Sequence, residues 1–303
     1  LPGFVVRTWL CLGEASTIAP VLAAFVFTFG IPGLLWASLR LLRGSRTGCL
    51  AAAVALGFQA LVAAGPSQNA DVPLAFFFLA TVVLLALQDH FSRRDLRLVC
   101  LAGFAMGLAA WTKNEGLLFL LALPTARLLV MRRRGLRAAV HEFAALALGA
   151  APALVAVLGF KAALVPTNDL VEQVGSGRLA DRVVDASRYL EILQSLGREL
   201  WSLGPVMGIA VLVCVVLWRE GRIWLPIVVA ELMLCGYCTI YLLTSHNLSW
   251  HLATSLPRLL LHLLPTFVFG VFSGTFASQG ANAPSPTDST AAAGLSSPSA
   301  TPR

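Results

Sequence analysis

Three polar residues, Lys113, Asn114 and Glu115, interrupt an apolar run in GLAAWTKNEGLLFLLALP, residues 107 to 124. A charged side chain at the centre of a bilayer costs roughly 3 kcal/mol on insertion scales. A lysine kept here either lies outside the hydrocarbon or has a task. Two further stretches gather polar groups. PSQNADVPLAFFFLA holds Gln68, Asn69 and Asp71, and TSHNLSWHLATSLPRLLLH holds His246, Asn247, Trp250, His251 and Arg258. KAALVPTNDL adds Lys161, Asn168 and Asp169. Fixed cations stabilise developing negative charge, and carboxylates or imidazoles orient or deprotonate hydroxyls.

Each residue also has a plainer role. Lys113 can snorkel from a helix end, and Glu115 can pair with it or sit at a helix start. Asp71 can cap a helix, and Trp250 can anchor at the interface. His246 and His251 lack metal-ligand spacing and clustered partners, so no metal site is expected. Glu231, mid-run in LPIVVAELMLCGY, reads as a neutral buried acid or part of a proton path.

The elements that hold these residues are membrane helices. Of 303 residues, 57% are hydrophobic and 12% are charged, about half the charge of a soluble domain. The mean hydropathy is +0.79. This excludes an ordinary soluble protein and predicts an all-α polytopic bundle. Apolar runs of spanning length occur at about 16–39, 48–64, 72–89, 97–112, 116–131, 138–160, 200–218, 223–243 and 257–274. The pairs of runs around residues 112–115 read as a hairpin of short helices. The six cysteines, including the CGYC pair Cys235 and Cys238, fall mostly in apolar runs and read as packing residues without disulfide or metal.

Arginines orient the bundle. Alternate short connections hold Arg40, Arg43 and Arg46; Arg93, Arg94 and Arg97; Arg127, Arg132, Arg133, Arg134 and Arg137; and Arg219 and Arg222. That is more than half of the 22 basic residues, and short loops set orientation. This side is expected to be cytoplasmic. The net charge of +7 is thus membrane topology rather than a nucleic-acid footprint. Asp71, Lys113, Glu115, His246, His251 and Arg258 fall on the opposite, outer side. Arg258, placed where topology disfavours positive charge, is the leading anion-binding candidate.

Residues 1–276 are read as one membrane domain. The Ser-, Pro-, Ala- and Thr-rich stretch 277–303 is expected to be a disordered cytoplasmic tail. In the long outer connection 161–199, positions 179, 183, 186, 190, 193, 197 and 200 form one stripe at helical spacing. They predict an amphipathic helix that lies on the outer leaflet or caps the bundle.

SQNADVPLAFFFLATVVLL, LAGFAMGLAAWTKNEGLLFLLALP and YLLTSHNLSWHLATSLPRLLLHLLP resemble bacterial GT-C glycosyltransferases, specifically the mannosyltransferase and aminoarabinose-transferase-like membrane proteins. The resemblance implies transfer of a sugar from a polyprenyl-phosphate donor to a lipid, glycan or protein hydroxyl at the outer face of a bacterial inner membrane. No other cofactor is implied. It assigns basic residues, here Lys113 and Arg258, to the lipid phosphate, and leaves Asp71, Glu115, His246 and His251 to the sugar or acceptor. LPGFVVRTWLCLGEAS resembles the segment after the first outer loop, whose acidic residue acts on the acceptor in that family. The expectation is therefore that a first helix and this loop precede Leu1, that the catalytic carboxylate lies there, and that residues 1–303 alone are inactive. A transporter or flippase, with polar residues at mid-membrane depth, and a non-catalytic degenerate relative are the alternatives.

Overall fold

The computed structural model describes residues 2–91, 95–131, 136–164, 179–203 and 225–275. The described residues are helical and contain no strand. The helices are α1 (Pro2–Leu12), α2 (Ile18–Arg43), α3 (Ser45–Gly57), α4 (Gln59–Ala64), α5 (Asp71–Phe91), α6 (Leu96–Thr112), α7 (Asn114–Val130) and α8 (Leu136–Leu164). They continue with α9 (Leu179–Val184), α10 (Ala186–Ser202), α11 (Leu225–Leu243) and α12 (Leu248–Thr275). Among the described residues, α2, α5, α8, α11 and α12 are long and apolar enough to cross a membrane. The expected all-α polytopic bundle is thus the observed architecture.

The expected spans 97–112 and 116–131 form α6 and α7, helices of 17 residues each that are not among these five. The run 48–64 is not one helix, because the chain breaks at Phe58 (φ −78°, ψ 104°) between α3 and α4. Gly57, a weak helix former, directly precedes the break. The run 200–218 lies largely on residues outside the described ones, as do Arg93, Arg94, Arg132, Arg133, Arg134, Arg219, Arg222, Asn168, Asp169 and the tail 277–303.

Small residues set the closest approach. Gly103 on α6 faces the Leu146 backbone, and Gly149 on α8 faces the Cys100 carbonyl. A Cβ at either glycine would collide with that backbone, so the pair lets α6 and α8 touch along their main chains. This small-residue contact is the usual device for tight packing between membrane helices. The core is completed by α5 and α12, whose central windows are the most buried of the spanning helices.

Helix directions follow from a few contacts. Phe27 of α2 meets Phe76 and Phe77 of α5 edge-on, with ring centroids 5.6 and 5.7 Å apart. The Arg43 Nε of α2 donates to the Ser273 carbonyl of α12 at 2.8 Å. Phe78 of α5 lies 6.4 Å from the His262 ring of α12. Helices α2, α5 and α12 therefore descend together, carrying Arg43, Asp89 and Ser273 to one end and Asp71 to the other.

The arginine-bearing end needs one correction. Arg127 was expected in a cytoplasmic connection, but it lies inside α7 and is fully buried. Its guanidinium donates to Asp89 at 2.5 and 2.9 Å, to Gln88 at 3.1 Å and to Glu142 at very short range. The reason is charge pairing. Two carboxylates, from α5 and α8, neutralise a cation that would otherwise be too costly to bury.

The amphipathic helix exists, but as two pieces. Asp185 stops α9 and caps α10, its carboxylate accepting from the Ser187 amide at 3.0 Å and hydroxyl at 2.6 Å. Ile192 is buried, whereas Leu190, Leu193 and Trp201 are exposed. The face turned to the bundle is thus rotated from the expected stripe. Arg182 donates to the Leu243 carbonyl, and Arg188 to those of Tyr241 and Thr244, at 2.8 to 3.2 Å. These two cations satisfy the carbonyl end of α11 and dock the α9–α10 unit there.

Candidate functional site

The connection between α6 and α7 is a single residue. Lys113 is fully extended (φ −162°, ψ 159°), and both flanking helices run to its neighbours. Its amide still bonds to the Ala109 carbonyl at 3.3 Å, and its own carbonyl accepts from Gly116 at 2.9 Å. The turn is this tight because Gly116 sits on the Ala109 backbone, where any Cβ would collide with the carbonyl oxygen. The sequence KNEG is thus a geometric solution: lysine at the apex, glycine where the helices touch.

The Lys113 ammonium reaches the Asp71 Oδ1 at 2.9 Å and the Glu115 Oε1 at 2.7 Å. Asp71 is the first residue of α5 and is 1% exposed. It is delivered by a turn in which Gln68 takes a left-handed backbone (φ 56°), uncommon outside glycine and a frequent companion of functional sites. The carboxylate accepts two further bonds from α12. Arg258 Nε donates to Oδ2 at 2.7 Å, and His262 Nε2 lies 2.8 Å from Oδ1. Three long-range partners from two places in the chain therefore converge on one buried carboxylate.

The three partners of Asp71, and Glu115 behind Lys113, differ in access. The His262 side chain is fully buried, Lys113 is 24% exposed, Glu115 19% and Arg258 48%. Only Arg258 engages Asp71 through one nitrogen while keeping a half-exposed fork, which can take a second anion bidentately. His262 holds Asp71 from behind.

Among the expected site residues, Asp71, Lys113, Glu115 and Arg258 come together. The readings of Glu115 as partner of Lys113 and as a first-turn acid of α7 describe the same geometry. Capping does not describe Asp71, whose oxygens go to side chains. Arg258 was expected at the end of its helix, but α12 begins at Leu248 and places it nearly three turns inside. His262 was not singled out by sequence. A lone histidine in SLPRLLLHLL looks like packing, and the available signal was its position one turn after Arg258 on the same helix face.

His246 and His251 do not touch Asp71. Their rings lie 6.0 Å apart, with Trp250 6.2 Å from His246 and Tyr241 5.0 Å from His251. His251 lies two turns before Arg258, about 10 Å along the axis. The pair forms an aromatic shelf beyond the charged cluster, braced by a 2.7 Å bond between the Tyr241 and Ser255 hydroxyls. Trp250 is exposed in the first turn of α12, which Asn247 caps at 3.0 Å from the Trp250 amide. Lys161 of α8 donates to Asn114 at 3.0 Å, adding a cation beside the α6–α7 turn.

Glu231 is exposed among the described residues rather than buried in the bundle. No group of three or more metal-ligating side chains occurs among the described residues. Cys235 and Cys238 are free thiols on α11.

The sequence profile of the dolichyl-phosphate-mannose-protein mannosyltransferases matches residues 1–160. No curated protein and no solved structure matches significantly. Asp71, Lys113 and Glu115 lie within the matched residues, and Arg258 and His262 beyond them.

Proposed function

The chain belongs to the dolichyl-phosphate-mannose-protein mannosyltransferase family of GT-C membrane glycosyltransferases, and from that premise we propose that it transfers a sugar from a polyprenyl-phosphate donor to a lipid, glycan or protein hydroxyl at the outer membrane face. The observation that carries this reading is the convergence of Lys113, Arg258 and His262 on Asp71. In the transfer, the acceptor oxygen bonds to the anomeric carbon and the bond from that carbon to the phosphate oxygen breaks. The phosphate leaves with the electron pair, and the acceptor proton passes to a base. Negative charge grows on the phosphate, so cations held in advance stabilise the transition state more than the bound donor.

Asp71 sets those cations in place. Lys113 and Arg258 share its charge at rest and turn their remaining donors to the donor phosphate. Asp71 itself makes a poor base, because both oxygens already accept from positive or N–H partners. The acceptor proton therefore goes to another group. The shelf of His246, His251 and Trp250 faces the sugar or acceptor. The arginine-rich end opposite supports an outer-face site in a bacterial inner membrane. Glu231 offers no interior polar path among the described residues, which favours a transferase over a transporter.

The test is donor binding and turnover by the full-length gene product carrying Arg258→Ala or Lys113→Ala. Each variant should weaken binding of a polyprenyl-phosphate sugar by about tenfold or more, the loss of one charge-assisted contact. Unchanged affinity and turnover in both variants would remove these residues from the site.

A further inference from the structure

Tyr237 sits on α11, one turn before Tyr241. It is 1% exposed and belongs to the main apolar core. Its hydroxyl nevertheless has no hydrogen-bond partner among the described residues. The Tyr241 hydroxyl, by contrast, is bonded to Ser255 at 2.7 Å. An unpaired buried hydroxyl destabilises a fold, and phenylalanine would fill the same space without that cost.

Packing brings this hydroxyl to the charged cluster. Gly236 of α11 lies against α7, where a Cβ would come within 2.6 Å of the Leu118 side chain. Leu118 is one turn after Glu115, and Tyr237 directly follows Gly236. Helix α7 leaves the Lys113 turn while α11 runs toward the same end of the bundle, so Glu115 and Tyr237 both lie on the Lys113 side of this contact. Glu115 and Asp71 are the two carboxylates whose charges act on the Tyr237 hydroxyl.

The two carboxylates depend on Lys113 unequally. Asp71 also has Arg258 and His262, whereas Glu115 has Lys113 alone among the described residues. Asp71 is sealed, and Glu115 is the more exposed of the two. An anion reaches the ammonium from the open side, and there it competes with Glu115.

We propose that Tyr237 is a positioning residue held in reserve for Glu115: when Lys113 turns to the phosphate of a lipid substrate, the Tyr237 hydroxyl donates to the Glu115 carboxylate in its place. This rests on the phosphate-binding reading of Lys113 and Arg258 above. No proton changes owner; one hydrogen bond replaces another. The hydroxyl is unpaired in the free protein and paired in the complex, so its cost falls on the free state and favours the bound one.

The test uses the full-length protein in detergent, with undecaprenyl phosphate as the probe. Tyr237→Phe keeps the ring and removes the hydroxyl. Without lipid, the variant should melt at or above the parent's temperature, because no bond is lost. With lipid, Kd should rise by about tenfold, the loss of one hydrogen bond to a charged group. In a Glu115→Ala background the same substitution should change Kd by less than about twofold, because the carboxylate it serves is gone.

An unchanged Kd in Tyr237→Phe overturns the proposal and leaves phosphate binding intact. A rise in Kd that persists undiminished in Glu115→Ala assigns Tyr237 to packing and overturns it too. So does a lipid-free variant that melts well below the parent, since the hydroxyl then had a partner at rest. A parent that does not bind undecaprenyl phosphate fails differently: the phosphate reading falls first and takes the reserve role with it.

Discussion

Asp71 and Arg258 stand 187 positions apart in the chain and meet at 2.7 Å between Oδ2 and Nε. The bond ties the first turn of α5 to the interior of α12, and Lys113 and His262 close on the other oxygen. The carboxylate thus serves as the common anchor for groups from both halves of the protein. Its removal should affect fold and chemistry together. Asp71→Asn leaves two cations facing a neutral amide, and breaking a buried pair in this way costs about 3–5 kcal/mol, the lower end applying because Arg258 is half exposed. Thermal unfolding in detergent should show the loss. The donor KM should rise, because the cations are no longer held. A variant as stable as the parent with unchanged KM would show that Asp71 anchors nothing.

Gly116 tests the turn without touching a charge. A Cβ there must push α7 away from the Ala109 carbonyl. Gly116→Ala should destabilise by about 1–3 kcal/mol through overpacking. It should also lower turnover more than Ala→Gly changes elsewhere on α7, since Lys113 moves with the turn. Full activity with normal stability would mean that the apex position of Lys113 is unimportant.

Arg127 makes the opposite prediction. It sits at the other end of the bundle, between Asp89 and Glu142. Arg127→Ala should cost about 3–5 kcal/mol of stability, because two carboxylates lose their guanidinium. Donor affinity in the folded fraction should not change. Replacing Arg127, Asp89 and Glu142 together by apolar residues should recover most of the loss, as apolar packing often equals a buried ion network. Loss of donor binding by folded Arg127→Ala would couple the two ends.

The α9–α10 unit should respond to acid. Hydrogen bonds from the Ser187 hydroxyl and amide hold the Asp185 carboxyl below its ordinary value of 3.8. A lowered folded value means that the contribution is complete above that ordinary value. It is lost as pH falls through the folded one. Amide exchange at Ser187 and Arg188 should therefore stay slow at about pH 5 and accelerate only below about pH 4. Asp185→Asn should flatten that dependence, and an unchanged acid profile in the variant would assign it to another group.

Sidedness has a direct check. A cysteine at Asn69, in the turn before Asp71, should react in intact cells with a thiol reagent that does not cross membranes. Reaction only after permeabilisation would put the Asp71 cluster on the inner face.

Sequence alone determined the class of the protein and the two ends of its bundle. Hydropathy is a local quantity, so α2, α5, α8 and α12 are visible as runs, and the arginine asymmetry follows from how short loops cross the membrane. The KNEG turn was legible too, because a lysine between two short apolar helices has nowhere to sit but the apex. What tertiary structure decided was partnership. Nothing in SLPRLLLHLL marks His262 as a partner of Asp71, and nothing near Arg127 shows that Asp89 and Glu142 will enclose it. A helix fixes which residues share its face. Which face meets which neighbour depends on packing, here on contacts as small as Gly103 and Gly149 against main chain. The charge of each residue was written in one dimension; its neutralising partner was chosen in three.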